Sequence, residues 1–298
     1  FLSLVNTTVG VLVWRVATGE RIGGPLPRLN AQFARAPDPF SATADFLAVK
    51  SQADNSLSIL DVRSGKLGGP MQHPGPIWGV AFSPDERLVA SASGGMNAVH
   101  LWDRVTGKEV REPLPHRTIT RGATFTNDGR QILTWSRMSS YLWDVATGRQ
   151  VTSFVGGNDI DPAIFSPDQR RVATLASGDV RVFDRETGAL LIEPITGAAM
   201  FQLQSISFTA DGRYLIAAKP GNPLALRVWP VPPTTQEPAP VWLTRLAAVL
   251  AGGEIDERGL LAERAFDVSI FDEIRAELAA LPDDAAYAEW GRWFLADR

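Results

Sequence analysis

The sequence predicts an all-β fold of repeated four-stranded units, followed by a small α-helical C-terminal extension. Three observations carry this prediction. Five segments nearly copy one another: VLVWRVATGE (11–20), LSILDVRSGK (57–66), VHLWDRVTGK (99–108), SYLWDVATGR (140–149) and VRVFDRETGA (180–189). A second signature recurs between them, as VAFSPDERLVASAS (80–93), ATFTNDGRQILTWS (123–136), AIFSPDQRRVATLA (163–176) and SISFTADGRYLIAA (205–218). Beyond residue 234 both patterns stop and the composition changes.

Each copy reads as local structure. Apolar and polar residues alternate, as in Val99, His100 and Leu101, and a bulky residue closes the run. That is the pattern of a half-buried strand. Thr-Gly or Ser-Gly follows, at Gly19, Gly65, Gly107, Gly148 and Gly188. Glycine there admits a positive φ, so the chain can reverse into a partner strand. In the second signature, Pro84-Asp85, Asn127-Asp128-Gly129, Pro167-Asp168 and Asp211-Gly212 suit tight turns between two further strands. PFSATADFLAVKSQ (39–52) is a weaker copy. One period therefore holds four strands. The anchors Trp14, Leu60, Trp102, Trp143, Phe183 and Trp229 are spaced 46, 42, 41, 40 and 46 residues apart. That period, with its Trp-Asp ending, is the signature of a β-propeller blade.

On these two motifs, in fixed order, the chain resembles WD40 β-propeller repeats over roughly residues 1–230. With the ending YAEWGRWFLADR (287–298), it is also similar to the WD40 arrays at the C-terminal end of planctomycete-type bacterial serine/threonine protein kinases. The resemblance implies a propeller that binds proteins, and an accessory role to a kinase domain upstream. In the same family a His before the inner strand joins a buried network with an Asp, a Ser or Thr, and the Trp. His73 and His116 occupy that place, but the loops GGMNAVHLW and RMSSYLW lack the Asp. The expectation is a degenerate network and a greater reliance on apolar packing.

Counting places four complete blades at about 30–75, 76–116, 117–157 and 158–198, with an incomplete one at each end. The first copy, 1–16, holds two strands, so one is expected after Gly19 and one before Phe1. After Trp229, Pro230, Pro232 and Pro233 remove ladder donors. A seven-blade parent with upstream sequence supplying the remainder is expected, and a six-blade ring is the alternative. The propeller is thus assigned to 1–233, a linker to 234–240 and an α-helical extension to 241–298.

Residues 234–298 carry 13 acidic and 6 basic residues, against 20 and 23 in residues 1–233, and no lysine. Val241, Leu243, Leu246, Val249 and Leu250 fall at helical spacing between Pro240 and Gly252-Gly253. A second helix is expected from about Val268 to Ala280, with Ile270, Phe271, Ile274 and Leu278 on one face. A third is expected after Pro282, favoured electrostatically by Asp283 and Asp284 and anchored by Trp290, Trp293 and Phe294.

Composition narrows the function. Net charge is −4, which argues against a nucleic-acid binder. There is no cysteine, which removes disulfides, thiolate metal sites and cysteine nucleophiles. No apolar run approaches the roughly 20 residues of a spanning helix. A cytoplasmic location is expected. No Gly-x-Ser-x-Gly elbow, phosphate loop or metal motif is present, and Gly94-Gly95 and Gly156-Gly157 read as turn glycines. His100 is expected on a polar strand face, and His73 and His116 as structural residues. Asp159 and Asp161 are the nearest approach to a carboxylate pair. No cofactor or metal is implied.

What remains is surface. Aligned on Phe82, Phe125, Phe165 and Phe208, the start of each inner strand carries Trp78, Arg121, Asp161 and Gln204. These differ in size and charge while the packing positions repeat. Trp and Arg are also the types that most often dominate binding energy. With the loop residues Arg117, Arg137 and Met138 they form a candidate partner-binding rim. The expected function is a non-catalytic protein–protein interaction scaffold of a larger bacterial signalling protein, with a protein or peptide as partner. The alternatives are the kinase accessory domain and a propeller hydrolase or lyase.

Overall fold

The computed structural model describes residues 2–6, 10–15, 18–22, 31–32, 40–51, 54–155, 160–177, 179–192, 194–195, 205–219, 225–231, 240–250, 253–255, 261–263, 269–282, 285 and 287–296. Among these residues, six successive small sheets, numbered blades I to VI, are followed by a hairpin and three helices. Blade I holds β1 (Leu2–Asn6), β2 (Gly10–Arg15) and β3 (Glu20–Ile22). Blade II holds β4 (Ala31–Gln32), β5 (Phe46–Ser51), β6 (Ser56–Asp61) and β7 (Leu67–Gln72). Blade III holds β8 (Ile77–Phe82), β9 (Leu88–Ser93), β10 (Ala98–Asp103) and β11 (Leu114–Pro115). Blade IV holds β12 (Thr120–Phe125), β13 (Gln131–Ser136), β14 (Ser140–Asp144) and β15 (Gln150–Phe154). Blade V holds β16 (Ile160–Phe165), β17 (Arg171–Ala176) and β18 (Asp179–Asp184). Blade VI holds β19 (Ser205–Phe208), β20 (Tyr214–Lys219) and β21 (Ala225–Pro230).

The strand after Gly19 is therefore present as β3. Three of the four expected complete blades have all four strands. In blade V, among the described residues, the stretch after β18 pairs through two isolated bridges, Val180 to Ile195 and Phe183 to Leu190. β21 ends on Pro230, where the ladder loses its donor.

The core lies between blades. Ala48, Leu57 and Met71 of blade II pack on Ile77, Val89 and Trp102 of blade III. Val99, Leu101 and Leu114 of blade III pack on Phe125, Ile132 and Trp143 of blade IV. Leu133, Trp135 and Phe154 of blade IV pack on Ile160, Val172 and Phe183 of blade V. In blades III, IV and V the anchor ring thus faces the blade before it. This corrects the expectation of half-buried strands. A sheet covered on both sides buries its polar set as well, and Ser91, Ser93, His100, Thr134, Ser136 and Thr174 are all buried.

Two turn motifs hold the sheets. In blade III the Asp103 carboxylate accepts from the backbone N–H of Thr106 at 2.8 Å and its hydroxyl at 2.9 Å. Asp144 and Asp184 bind Thr147 and Thr187 in the same way. These bonds hold the Asp103 and Asp144 carboxyls below the usual range. They also account for the spacing of the Asp from the Thr-Gly, whose glycines have φ between 66° and 72°. At the other turn, the hydroxyls of Ser83, Thr126, Ser166 and Thr209 donate to Asp85, Asp128, Asp168 and Asp211 at 2.5–2.6 Å.

The chain divides into two compact units, Phe1–Ser207 with Ala217–Leu226, and Phe208–Ile216 with Arg227–Arg298. In the second, α1 (Val241–Leu250), α2 (Ser269–Ala280) and α3 (Ala288–Phe294) share a core of Trp242, Leu246, Ile274, Leu278, Ala288 and Leu295. The helices pack on one another. Arg292 of α3 donates to the carbonyls of Leu278 and Leu281, which close α2. Glu289 accepts from Arg213 and from the Tyr214 hydroxyl, within the same unit.

Three expectations change here. The buried face of α1 is centred on Trp242 and Leu246, while Val241 and Leu250 are exposed. The third helix begins at Ala288, so the acid in its first turn is Glu289 and not Asp283 or Asp284, which lie outside the described residues. An unanticipated hairpin, β22 (Gly253–Ile255) with β23 (Leu261–Glu263), follows α1.

Candidate functional site

The inner strands share one irregularity. In β8 the register slips between Ile77 and Gly79, in β12 between Thr120 and Gly122, and in β16 between Ile160 and Ala163. The extra residue is Trp78 in β8 and Arg121 in β12, and Asp161 lies within the slip in β16. A bulge breaks the pleat and re-aims a side chain. Three of the four aligned rim positions therefore lie where the inner strand of blades III, IV and V leaves its regular pairing with the next strand.

Adjacent blades touch at these bulges. An ideal Cβ on Gly79 would stand 2.6 Å from the Arg121 carbonyl oxygen. The Thr120 hydroxyl donates across to the Ser93 carbonyl at 2.8 Å and the Ala98 carbonyl at 3.1 Å, on either side of the 94–97 turn. Lys50 Nζ donates to the Ile77 carbonyl at 3.0 Å. The Arg137 N–H donates to the Ile119 carbonyl, and the Ile160 N–H to the Arg137 carbonyl, both at 3.2 Å. The bulges thus sit on a backbone cross-linked from blade II to blade V.

The surface above is apolar and basic. Trp78 is 41% exposed, and its Nε1 would lie 2.7 Å from a Cβ on Gly94, so the indole leans over the 94–97 turn. That turn carries Met96, 64% exposed, and the β13–β14 turn carries Met138, 55% exposed. Arg117 and Arg137 are exposed, and Arg121 is half-buried. Trp78, Arg117, Arg121, Arg137 and Met138 are therefore brought onto one side of blades III and IV. Asp161 is placed by its backbone alone, and Gln204 and Asp159 lie outside the described residues. Sequence reasoning missed Met96 and Ile119. The signal was there, since each is an apolar residue inside a polar turn.

His73 and His100 are buried in the blades and His116 is half-buried. His73 Nε2 lies 2.6 Å from Ser91 Oγ, and Trp102 Nε1 donates to the same oxygen at 2.8 Å. His116 Nε2 and Trp143 Nε1 both reach Thr134 Oγ1 at 2.8 Å. The network is therefore intact in both blades apart from the Asp, and packing is not its substitute. Burial lowers the His73 pKa to about 4, with the neighbouring His100 adding to it, and lowers that of His116 to about 3. Both are neutral near pH 7.

His100 corrects an expectation. It is buried and not on a polar face: it stacks on Trp102 and lies 2.5 Å from Glu109. Among the described residues, no group of three or more His, Asp or Glu side chains stands together as a metal site. Among them too, no helix is long and apolar enough to cross a membrane.

Comparison with known proteins agrees with this architecture. Residues 66–103 match the WD domain, G-beta repeat family. An uncharacterized WD repeat-containing protein of Synechocystis sp. is 34% identical over 95 residues, covering 32% of this chain and 27% of that protein. The serine-threonine kinase receptor-associated protein of Gallus gallus is 25% identical over 153 residues, covering 50% and 42%. Periodic tryptophan protein 2 of Arabidopsis thaliana is 25% identical over 180 residues, covering 60% and 17%. The chain thus spans less than half the length of each of these relatives. Among solved structures, hydrazine synthase of Kuenenia stuttgartiensis superposes with a TM-score of 0.53 at 16% identity, covering 63% of this chain and 57% of that one. That likeness concerns the fold alone. The repeat match and the WD-repeat relatives together support a WD40-repeat protein with an all-β, partial propeller fold.

Proposed function

We propose that this chain is a non-catalytic interaction module whose docking surface is the rim of blades III and IV. The observation that carries the proposal is the exposed Trp78, set on a bulge between Met96 and the arginines on a cross-linked backbone. A rigid platform with protruding Trp and Arg loses little entropy when a partner docks. The rim members Asp161 and Gln204 extend the proposal to blades V and VI. WD-repeat relatives include a receptor-associated protein by name, which accords with this use. The test compares proteins retained by the immobilised chain with those retained by Trp78→Ala and Arg121→Glu. Specific partners are expected to be lost from both variants, with melting temperatures within a few degrees of wild type. If both variants retain the same proteins, the rim is not the docking surface.

The role of accessory domain to a serine/threonine kinase rests on the resemblance of the repeats and of the 287–298 tail. It predicts that the isolated chain transfers no phosphate and that a kinase domain precedes it in the parent protein.

A further inference from the structure

We infer that Met96 and Met138 form an oxidation-sensitive pair on the blade III–IV rim, and that their conversion to sulfoxides by a peroxide releases a partner segment held through apolar side chains. The inference rests on the docking reading above and adds a modification that governs it. The chain has four methionines and no cysteine. Met71 is 1% exposed in the core between blades II and III, whereas Met96 is 64% and Met138 55% exposed. Met200 lies outside the described residues. With no thiol to take an oxidant first, these two thioethers are the exposed sulfurs among the described residues. They stand in corresponding turns of neighbouring blades, between β9 and β10 and between β13 and β14.

Both turns are held from below. A Cβ on Gly75 would stand 2.6 Å from the Gly95 Cα, so the 94–97 turn rests on backbone that leads into β8. At the other turn the Ser136 N–H donates to the Ser139 carbonyl at 2.8 Å, and the two hydroxyls lie 3.0 Å apart. Neither exposed thioether belongs to the cores between blades II and V. Arg121 and Arg137 are engaged within the protein, and Asp161 lies at the start of the adjoining β16. Adhesion at this edge therefore falls to Trp78 and the two thioethers, which adapt to differing apolar groups.

In the oxidation, the sulfur lone pair attacks one oxygen of the peroxide. The S–O bond forms as the O–O bond breaks. The leaving hydroxide takes the proton of the transferred oxygen and departs as water, and the sulfur gives up two electrons to the peroxide. A flexible apolar arm becomes a polar, chiral one, and methionine sulfoxide reductases reverse the change. A segment seated on Trp78 then meets two strong dipoles in place of two apolar arms. The fold is indifferent, because the atoms that change already stand in water.

The experiment treats the full chain with hydrogen peroxide, removes the oxidant and maps tryptic peptides by mass. Cleavage after Lys66, Arg87, Arg104, Arg137 and Arg149 places Met71, Met96 and Met138 in separate peptides. Met96 and Met138 are expected to gain one oxygen at least about tenfold faster than Met71, with the melting temperature within a few degrees of the untreated chain. Binding is read by fluorescence anisotropy with a pool of short labelled peptides degenerate in Gln, Ser, Leu and Phe, which contains no sulfur. Oxidation is expected to weaken binding about tenfold, and the two epimer-specific sulfoxide reductases together to restore it. The double variant Met96→Leu with Met138→Leu is expected to bind equally with and without peroxide. The two single variants, each expected to lose less on oxidation than wild type, serve if the double variant melts early.

Binding that is lost in Trp78→Ala but survives full oxidation of Met96 and Met138 overturns the switch and leaves the docking rim standing. So does a loss on oxidation that is as large in the leucine variants, since another group is then the target. Oxidation of Met71 at the rate of the other two overturns the selectivity on which the switch depends. If the untreated chain does not bind the pool, or binds it as well in Trp78→Ala, both the switch and the docking rim fall.

Discussion

Gly79 of β8 lies against the backbone of Arg121 in β12: a Cβ placed on the glycine would stand 2.6 Å from the Arg121 carbonyl oxygen and 2.8 Å from the Gly122 Cα. The obstructing atoms are backbone, so no side chain can swing aside. Two inner strands of neighbouring blades meet here at the level of their bulges, which carry the exposed Trp78 and the half-buried Arg121. Gly79→Ala is expected to force the blades apart and to destabilise the chain by about 1–3 kcal/mol, as overpacking does. Urea unfolding checks this. A variant as stable as wild type would mean that the blades slide freely at the bulge.

Ser91 is the shared acceptor and partner of Trp102 and His73, with bonds of 2.8 and 2.6 Å in a site closed to water. Ser91→Ala leaves two buried polar groups unpaired, and a loss of about 2–4 kcal/mol is expected. Ser91→Thr should restore most of it, because Thr134 performs the same task for Trp143 and His116. Equal losses in the two variants would point to crowding instead of the hydroxyl.

The same sites make stability depend on pH. His73 titrates near 4 in the fold and His116 near 3, against an ordinary value of 6.5. The unfolded chain therefore binds more protons between these values, and stability falls as pH drops below 6.5. The loss from His73 alone approaches about 3 kcal/mol once pH reaches 4. Melting temperature is expected to be level above pH 7 and to decline between 6.5 and 4.5, before the carboxylates titrate. His116→Gln should flatten the decline. An unchanged slope in that variant would assign the acid sensitivity elsewhere.

Gln169 occupies a left-handed turn position, φ 60°, that Gly129 and Gly212 fill in neighbouring blades. Its side chain compensates by accepting from the Asn127 N–H of the preceding blade at 3.2 Å. Glu86 does the same at φ 57°, accepting from the N–H and hydroxyl of Thr43. Gln169→Gly exchanges the bond for relief of about 1 kcal/mol of backbone strain and should be close to neutral. Gln169→Ala keeps the strain and loses the bond, so it should melt lower than the glycine variant. The reverse order would show that the bond contributes nothing.

The repeat was legible because every blade solves one packing problem with one set of residues. The anchor rings, the Asp and Thr of one turn and the Ser or Thr and Asp of the other recur at fixed offsets, and local geometry demands each of them. The helices could be read in outline from their spacing, since α2 buries Ile274 and Leu278 as its period requires. Other features depended on neighbours distant in sequence. His100 has the pattern of an outward polar residue, yet a second blade covers that face, so it is buried against Trp102. In α1 Trp242 is buried beside Leu246, because Gly291 of α3 leaves room for its ring, and no periodicity within 241–250 contains that fact. The rim positions could be aligned from the sequence. That Trp78 and Arg121 are bulge residues on touching strands, with Met96 beside them, was decided only when the blades came together. Sequence periodicity records what one strand does to its own sheet; which faces are covered, and where two backbones meet, depends on elements 40 or more residues away.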